Sequence, residues 1–378
     1  MSTLFWLAAC FILYTYGGYP LLVALQARLF PRPVDRREHL PTVTVIVAAS
    51  NEEATIAGRL ENLLAQDYPP DRYRIVVVSD GSTDRTEEIA RRYTGRSVEL
   101  VSVKERVGKA AALNLGLAQA ASEVVVFADA RQRFIPDTVR QLTANFADPE
   151  VGCVSGELVL VDRGESQVEM ALYWRFEKLI RRWESMSGSV VGATGAIYAI
   201  RRDLYRPLPP GTLLDDVLVP LNVAAAGYRV IFDPHPKAFD QLSLAIEQEW
   251  VRKVRTLAGS LQLLGFYPPL CTPWGSPLWW RFLSHKVFRV LIPFALVAML
   301  AGSWLAKGTF YHAAFWFQFL GYLLALGGYL VPPLRALRPV RLALFFMTLN
   351  LAAVAACWIW ASGRCETSWR PAYDKEEP

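Results

Sequence analysis

RIVVVSDGSTD, residues 74–84, passes from a run of apolar β-branched residues into a turn rich in glycine and acids. The apolar part, Arg74–Val78, predicts a strand buried in a sheet, because hardly any polar side chain interrupts it. The second part, Ser79–Asp84, predicts a turn that leads into a helix over 87–93. Strand, turn and helix in this order are the repeating unit of a domain built on a parallel sheet.

Residues on both sides continue this alternation. Short apolar runs predict strands over 42–48, 98–103 and 123–128. Apolar residues at helical spacing predict one helix through Leu60 to Leu64 and another over 110–120. The predicted fold class is therefore α/β, with a mostly parallel sheet whose ligands bind at the carboxyl ends of the strands.

Polar residues follow three of the predicted strands: Asn51, Asp80 and Asp129. Taken singly, each acid has the alternative of an ordinary turn or helix cap. Because the carboxyl ends of parallel strands meet at one edge of a sheet, we expect the three side chains to converge. Lys109 opens the next helix, so this edge combines acids for a ribose or a metal ion with a cation for phosphate. These residues favour a nucleotide site.

Apolar runs near both ends predict membrane helices. Residues 1–27 hold no charge, and this length crosses about 30 Å of hydrocarbon. A cleaved signal peptide is the alternative, but neither a basic start nor a cleavage site favours it. Three more uncharged runs cover 290–306, 308–334 and 342–363, which predicts about three C-terminal spans. The first of these is short and contains Pro293, which leaves a tilted or re-entrant element open.

Arginine and lysine flank the apolar runs around 28–37, 286–289 and 335–341. The positive-inside tendency predicts four spans with both termini outside and a cytoplasmic domain, in the inner (plasma) membrane. The net charge of +5 comes mainly from these flanking residues, which we interpret as contacts with membrane lipids rather than with nucleic acid. Five scattered cysteines without metal-ligand spacing indicate reduced thiols.

The predicted organisation follows from these boundaries. Most of an amphipathic stretch over 157–183 is expected to form a helix that packs on the cytoplasmic domain. The segments are an N-terminal transmembrane helix over 1–30, a cytoplasmic domain over 38–245, interfacial helices over 246–285, C-terminal transmembrane helices over 286–363 and a tail over 364–378.

Five segments resemble, in the same order, the blocks of the family 2 inverting glycosyltransferases, in the membrane group related to the cellulose, chitin-oligosaccharide and hyaluronan synthases. The segments are VTVIVAASNEE, VVVSDGSTDRT, GKAAALNLG, VVFADA and LLDDVLVPLNVAAAGYRVIFDP. The likeness covers about residues 42–260. It implies a GT-A-like fold that binds a nucleotide sugar, and a hexosyltransferase with a saccharide or lipid-linked acceptor.

The resemblance implies roles in donor binding for five residues. Ala49, Asn51 and Glu52 would line the nucleobase and the ribose. Asp80 would read a uracil, and Lys109 would meet the diphosphate. The implied donor is therefore a UDP-sugar.

The resemblance also implies the residues of the reaction itself. Asp129 would stand at the ribose and at a divalent cation, Mg²⁺ or Mn²⁺, for which it is the implied ligand. Asp215 and Asp216 fall where the family keeps a pair of acids, and Asp216 would be the catalytic base. GATGAIYAIRR, residues 192–202, would form the floor on the acceptor side.

Arg131 departs from the family pattern, because it stands where a second metal-binding acid is expected. A divalent cation would then complete its coordination with diphosphate oxygens and water, beside Asp129. Arg131 itself would either bind a phosphate or an acid such as Asp216, or pair with a surface carboxylate.

RKVRT, residues 252–256, is the second departure. It keeps Arg255, which we expect at the leaving diphosphate together with Lys109. It lacks the tryptophan on which processive members of the family stack the acceptor sugar. Trp250 is a nearby substitute, although an aromatic residue at a membrane interface is also a common anchor.

The sequence predicts a membrane-embedded inverting glycosyltransferase that extends a surface polysaccharide or oligosaccharide from a nucleotide-sugar donor. The altered 252–256 segment favours one alternative, the transfer of a single sugar to a polyprenyl-phosphate or other lipid acceptor. A second alternative is a non-enzymatic membrane scaffold with a degenerate nucleotide fold.

Overall fold

The computed structural model describes residues 1–161, 168–241, 246–363 and 365 of the 378-residue chain. The side chains of 168–171 and 241–249 lie outside the description, as does the predicted tail over 364–378 apart from Cys365.

The described strands form one sheet. They are β1 (Val43–Ala49), β2 (Tyr73–Asp80), β3 (Val98–Val103), β4 (Val124–Asp129), β5 (Arg133–Phe134), β6 (Val151–Val161), β7 (Ile197–Arg201) and β8 (Arg229–Gln241). Their order is β3-β2-β1-β4-β7-β6-β8-β5. The first four positions are parallel, as the sequence predicts, whereas β7 runs antiparallel to both β4 and β6. β8 is parallel to β6 and antiparallel to β5, so the sheet is mixed.

The register of the parallel strands brings their carboxyl ends to one level. Ala48 of β1 pairs with Asp129 of β4, and Ala49 pairs with Ser79 of β2. Just beyond β1, Asn51 adopts a φ of 57°, in the left-handed region that Asn tolerates better than most residues. The chain therefore turns sharply at the edge where the sequence predicts a nucleotide site.

Helices cover both faces of the sheet. Those of the central part are α3 (Ile56–Leu64), α4 (Thr86–Arg91), α5 (Lys109–Ala118), α6 (Thr138–Thr143), α7 (Val168–Met186), α8 (Asp215–Ala225) and α9 (Ile246–Phe266), and they follow α1 (Ser2–Leu13) and α2 (Tyr19–Leu29). Alternate residues of β1 enter two separate cores, with Ile46 facing α5 and α8, and Val45 facing α3. A Cβ at Gly116 would lie 2.7 Å from Ile46 Cγ2, so α5 packs directly on β1.

Among the described residues, four helices are long and apolar enough to cross a membrane, one N-terminal and three C-terminal, which confirms the sequence prediction of their number and order. They cover Ser2–Leu29, Trp279–Leu305, Thr309–Leu330 and Arg338–Ala361. Trp279–Leu305 comprises α10 (Trp279–Phe282), a π turn (Leu283–Val287) and α11 (Phe288–Leu305); α12 (Thr309–Leu330) and α13 (Arg338–Ala361) follow. The 27 residues of Trp279–Leu305 correspond to roughly 40 Å of helix. Pro293 lies inside this continuous segment and not at a break.

The membrane helices pack directly on the α/β part. Tyr19 and Val23 of α2 form a buried cluster with Ile180 of α7. Leu261 of α9, Val290 of α11 and Ala353 of α13 form a second one. Most of the stretch over 157–183 was predicted as a helix, and α7 begins at Val168, but residues 157–161 differ because they continue β6 to Val161. Pairing with β8 explains the difference, because it draws residues 157–161 into the sheet.

Candidate active site

A cavity of about 420 Å³ opens at the carboxyl edge of β1 and β4. Its walls come from the first turns of α5 and α8, from α7 and α9, and from the π turn that precedes α11. The predicted site residues that line it are Glu52, Lys109, Asp129, Arg131, Asp215, Asp216 and Arg255. Ala49, Asn51 and Asp80 are not among the lining residues.

Lys109 joins two of the acids. Its Nζ lies 2.9 Å from Asp129 Oδ1 and 3.7 Å from Asp215 Oδ1. Burial lowers the pKa of Lys109, but Asp129 and Asp215 raise that pKa by more, so the side chain stays an ammonium ion. Burial raises the pKa of Asp215 to about 6; Lys109 opposes this rise, and Asp216 adds to it. The structure therefore has a fixed cation at the start of α5, where a phosphate would also meet the helix N-terminus.

Asp215 and Asp216 share the first turn of α8 but differ in surroundings. Asp215 is buried, and its Oδ2 has no hydrogen-bond partner among the described residues. Asp216 is less buried, and its Oδ2 accepts a hydrogen bond from the backbone N–H of Gly195 at 3.2 Å. Its backbone carbonyl accepts another from Ala193 at 2.7 Å. Residues 192–195, part of the predicted acceptor floor, therefore position Asp216.

Arg131 pairs with Glu52, not with Asp216. Its Nε lies 3.0 Å from Oε1 and 3.2 Å from Oε2 of Glu52, whose side chain is buried. Thr55 also donates a hydrogen bond to Glu52 Oε2, at 2.9 Å. The sequence allowed Arg131 to bind a phosphate, an acid of the site or a surface carboxylate. In the structure it pairs with the carboxylate of Glu52, which lines the cavity.

Asp80 is fully buried, and both its carboxylate oxygens hold the loop before α5. Oδ1 accepts a hydrogen bond from the N–H of Val107 at 2.7 Å, and Oδ2 accepts one from Gly108 at 2.9 Å. Asn51 acts in a similar way, because its Oδ1 accepts a hydrogen bond from the N–H of Thr83 at 2.8 Å. Both side chains thus fix the turns around the cavity, next to Val107 and Gly108, which do line it.

Aromatic residues of α7 form a wall that the sequence analysis did not identify. Trp174 lies under the guanidinium of Arg252 at 5.3 Å, and Tyr173 lies under the ammonium of Lys253 at 4.0 Å. All four line the cavity, whereas Trp250 does not. The mixture of aromatic and basic residues in 173–182 could have indicated this wall of the cavity. The sequence alone favoured a surface that packs on the domain.

The cavity continues to a set of charged residues that sequence reasoning also missed. His285 is buried between two carboxylates, with Nε2 3.0 Å from Glu177 and Nδ1 2.8 Å from Glu184. Glu177, Glu184 and His285 line the cavity together with Arg181 and Lys286. The sequence feature that could have indicated this part of the cavity is the pair His285–Lys286 at the start of an apolar run. Charge at such a place is costly without a partner or a ligand.

Few protein side chains are placed to bind a divalent cation in the cavity. Among the residues that the structure describes, no three His, Cys, Asp or Glu side chains are grouped to hold a metal ion. Asp129 lies at the cavity edge with its Oδ1 on Lys109, and Arg131 stands two positions further along. This arrangement fits a cation that takes one protein carboxylate and draws its other ligands from diphosphate and water, as Mg²⁺ commonly does.

Comparison with known proteins gives a consistent result. Residues 44–208 match the family model described as Glycosyl transferase family 2. "Probable glycosyltransferase YdaM" of Bacillus subtilis is 25% identical over 258 residues, which are 65% of this chain and 61% of that protein. "Poly-beta-1,6-N-acetyl-D-glucosamine synthase" of Staphylococcus aureus is 24% identical over 247 residues, 64% of this chain and 60% of that protein. The chain thus spans about three fifths of the length of these relatives.

A solved structure resembles almost the whole chain. The mannosyltransferase PcManGT from Pyrobaculum calidifontis, in complex with GDP-Man and Mn²⁺, is 27% identical with a TM-score of 0.71. The similarity covers 96% of this chain and 99% of that one. The α/β part therefore has the GT-A-like fold that the sequence predicts, and helices apolar enough to cross a membrane lie before and after it.

Proposed function

We infer that this chain, whose residues 44–208 form a family 2 glycosyltransferase domain, is a membrane-embedded inverting enzyme that transfers a sugar from a nucleotide donor to a saccharide acceptor. The observation that supports this most is the position of Asp216 in one cavity with the cluster of Lys109, Asp129 and Asp215. A base and a fixed cation facing one space are what such a transfer needs. The same observation argues against a degenerate scaffold.

Asp216 is the proposed base. An inverting transfer requires one group that removes the proton of the acceptor hydroxyl while that hydroxyl attacks the anomeric carbon. Asp215 suits this role less, because one oxygen faces Lys109 and the other is buried. Asp216 lines the cavity, and the backbone N–H of Gly195 orients its carboxylate.

Lys109 and Arg255 are proposed to stabilise the leaving diphosphate. Charge builds on its oxygens as the bond to the sugar breaks, and fixed cations reduce that cost. Asp80 contributes indirectly, because it holds the backbone of Val107 and Gly108 immediately before Lys109. The ion pair of Arg131 and Glu52 would border the ribose side of the donor.

A divalent cation, Mg²⁺ or Mn²⁺, would be held by Asp129 and would supply further positive charge at the diphosphate when bound. Arg131 contributes a charge where a second acid would otherwise lie, so the chain depends less on the ion than a site with two carboxylates. The Mn²⁺ in the complex of the Pyrobaculum mannosyltransferase supports the proposal.

The donor nucleotide and the acceptor class are proposed from the sequence and from the relatives. UDP is the nucleotide that the sequence favours, whereas the Pyrobaculum mannosyltransferase is in complex with GDP-Man, so both nucleotides belong in a test. Extension of a surface polysaccharide is supported by the relatives named as poly-β-1,6-N-acetyl-D-glucosamine synthase. Transfer to a lipid-linked acceptor is the second candidate, and the contact of the cavity with the apolar helical segment Trp279–Leu305 supports it. The arginine distribution favours the cytoplasmic side of the inner membrane for the domain.

Release of nucleotide by the purified chain in detergent tests the proposal. UDP- and GDP-sugars are offered one at a time, and free UDP or GDP is measured over time. We expect slow release with one donor, even without acceptor, and faster release when membrane extract supplies one. Absence of release with every donor and extract would contradict the proposed function.

A further inference from the structure

The acceptor end of the cavity is built partly from a membrane helix. Lys286 and His285 lie in the π turn Leu283–Val287, inside the helical segment Trp279–Leu305. Such turns are rare and occur often at functional sites. A second π turn, Tyr14–Gly18, contacts the first one, because Tyr14 Oη lies 2.8 Å from Ser284 Oγ. The two turns therefore fix the direction in which Lys286 enters the cavity.

The acids at this end already have partners. Glu177 is bonded to His285 and Arg289; burial raises its pKa, but the charge of Arg289, the hydrogen bond with His285 and the more distant charge of Lys286 together bring that pKa well below the usual range. Glu184 accepts hydrogen bonds from Tyr19 and His285, and its pKa is also lowered although burial acts in the other direction. Both carboxylates thus stay ionised, and their hydrogen-bond partners are groups other than Lys286, which acts on Glu177 only as a more distant charge.

The neighbouring cation Arg181 is also engaged. Its guanidinium donates hydrogen bonds to Thr194 at 2.7 Å and to Ser155 at 2.6 Å, and it lies 4.7 Å from the ring of Phe232. It therefore holds the segment that positions Asp216, and its donors are directed at protein atoms.

Lys286 differs from these groups. It lines the cavity and is only partly exposed, and no described residue lies within hydrogen-bond or ion-pair distance of its ammonium group, although the carboxylates of Glu177 and Asp216 attract it from further away. A half-buried ammonium without a partner is costly, and an anion in the cavity would offset that cost. Phosphate suits the site, since a lysine binds it as a point charge.

We propose that Lys286 binds a phosphate group of a lipid-linked acceptor, which enters the cavity from the membrane side. This rests on the proposed function and specifies its acceptor class. The diphosphate of the donor has Lys109 and the first turn of α5 as its partners, so Lys286 is left for a different anion. A lipid attachment follows from the position of Lys286 in a membrane helix and from the contact of Tyr173, a wall residue, with Phe345 of α13.

Binding of farnesyl phosphate to the full chain in detergent tests this proposal by calorimetry. We expect Lys286→Gln to weaken binding at least about tenfold, the usual effect of losing one hydrogen bond between charged groups. Lys286→Arg should retain most of the affinity. Lys307→Gln is the matched control, because Lys307 is exposed on the short loop after the same helix.

Three further titrations separate the sources of the anion. Farnesol should bind much more weakly than farnesyl phosphate, and inorganic phosphate should compete only at far higher concentration. Nanodiscs with phosphatidylglycerol in place of phosphatidylcholine should leave the affinity unchanged. Equal binding of farnesol, equal competition by inorganic phosphate, or displacement by phosphatidylglycerol would each contradict a lipid-linked phosphate at Lys286.

The nucleotide titration separates the two ends of the cavity. If Lys286→Gln weakens UDP or GDP binding as much as farnesyl phosphate binding, Lys286 belongs to the donor site and the proposal is wrong. Failure of the proposed function would be distinct, because it would abolish nucleotide release from every sugar donor while farnesyl phosphate binding and its dependence on Lys286 remained.

Discussion

The Nζ of Lys109 lies 2.9 Å from Oδ1 of Asp129, so the first residue of α5 and the last residue of β4 form an ion pair at the cavity edge. The pair links the sheet edge to the helix that would receive the donor diphosphate. A phosphate group would compete with Asp129 for the same ammonium ion. We therefore assign both residues to the proposed donor site.

Lys109→Met should lower kcat/KM for the sugar donor on the order of 10²-fold, because it removes a fixed charge that faces the leaving group. Nucleotide affinity should fall as well. Lys104→Met, on the exposed loop before α5, is the matched control and should leave both quantities unchanged. Full activity of Lys109→Met would exclude this lysine from the leaving-group site.

Asp215 predicts a measurable dependence of stability on pH. Its pKa is raised from 3.8 to about 6, so the unfolded chain releases this proton at lower pH than the folded chain does. The stabilisation that protonated Asp215 gives is present below about pH 4 and is lost as pH rises through 6. The melting temperature of Asp215→Asn minus that of the unmodified chain should therefore rise as pH increases from 4 to 7.

Thermal unfolding in detergent, followed by tryptophan fluorescence, measures this difference. Asp203→Asn is the control, because Asp203 is exposed and should give a difference independent of pH. A constant difference for Asp215→Asn over the same range would show that Asp215 ionises as an ordinary carboxylate.

Metal titrations should show how Arg131, in place of a second acid, affects the affinity for a divalent cation. With Asp129 as the single protein carboxylate at the diphosphate, Mn²⁺ should bind weakly to the chain alone and tightly when UDP or GDP supplies oxygen ligands. Calorimetric titration of Mn²⁺ with and without nucleotide checks this, and Arg131→Asp should strengthen the binding without nucleotide. Undiminished sugar transfer in excess EDTA would contradict a role for the cation.

The positive-inside pattern predicts which loops face the cytoplasm. In a cysteine-free background and intact cells, a cysteine at Lys307 should react with a membrane-impermeant reagent, whereas one at Leu337 should not. Both positions are exposed in the structure, so a difference in labelling reports the membrane and not burial. Labelling of Leu337 alone would invert the topology.

The sequence predicted the parallel half of the sheet well because its signals are local. The strand over 98–103 has the predicted bounds, and the strands before and after it differ by at most two residues. Apolar runs that end in glycine and acids specify such strands through neighbouring residues alone. β6 and β7 were not predicted as strands, since their pairing depends on residues far apart in the chain.

The site was harder to predict where a side chain could face either a ligand or the protein. Asp80 stands at the predicted strand end, yet its carboxylate binds the backbone 27 and 28 positions away. His285 and Glu184 are 101 positions apart, and only the packing of a membrane helix on α7 brings them together. Such pairings have no local pattern, so the cluster of Glu177, Glu184 and His285 could be found only from the structure.

Asp216→Asn is the measurement that tests the central claim most directly. Turnover of the sugar donor should fall at least on the order of 10²-fold, because an amide cannot accept the proton of the acceptor hydroxyl. Nucleotide affinity should stay within about twofold, since Asp216 is bonded to Gly195 and not to the donor end of the cavity. Asp203→Asn provides the control for turnover. Normal turnover of Asp216→Asn with intact nucleotide binding would contradict the assignment of Asp216 as the base.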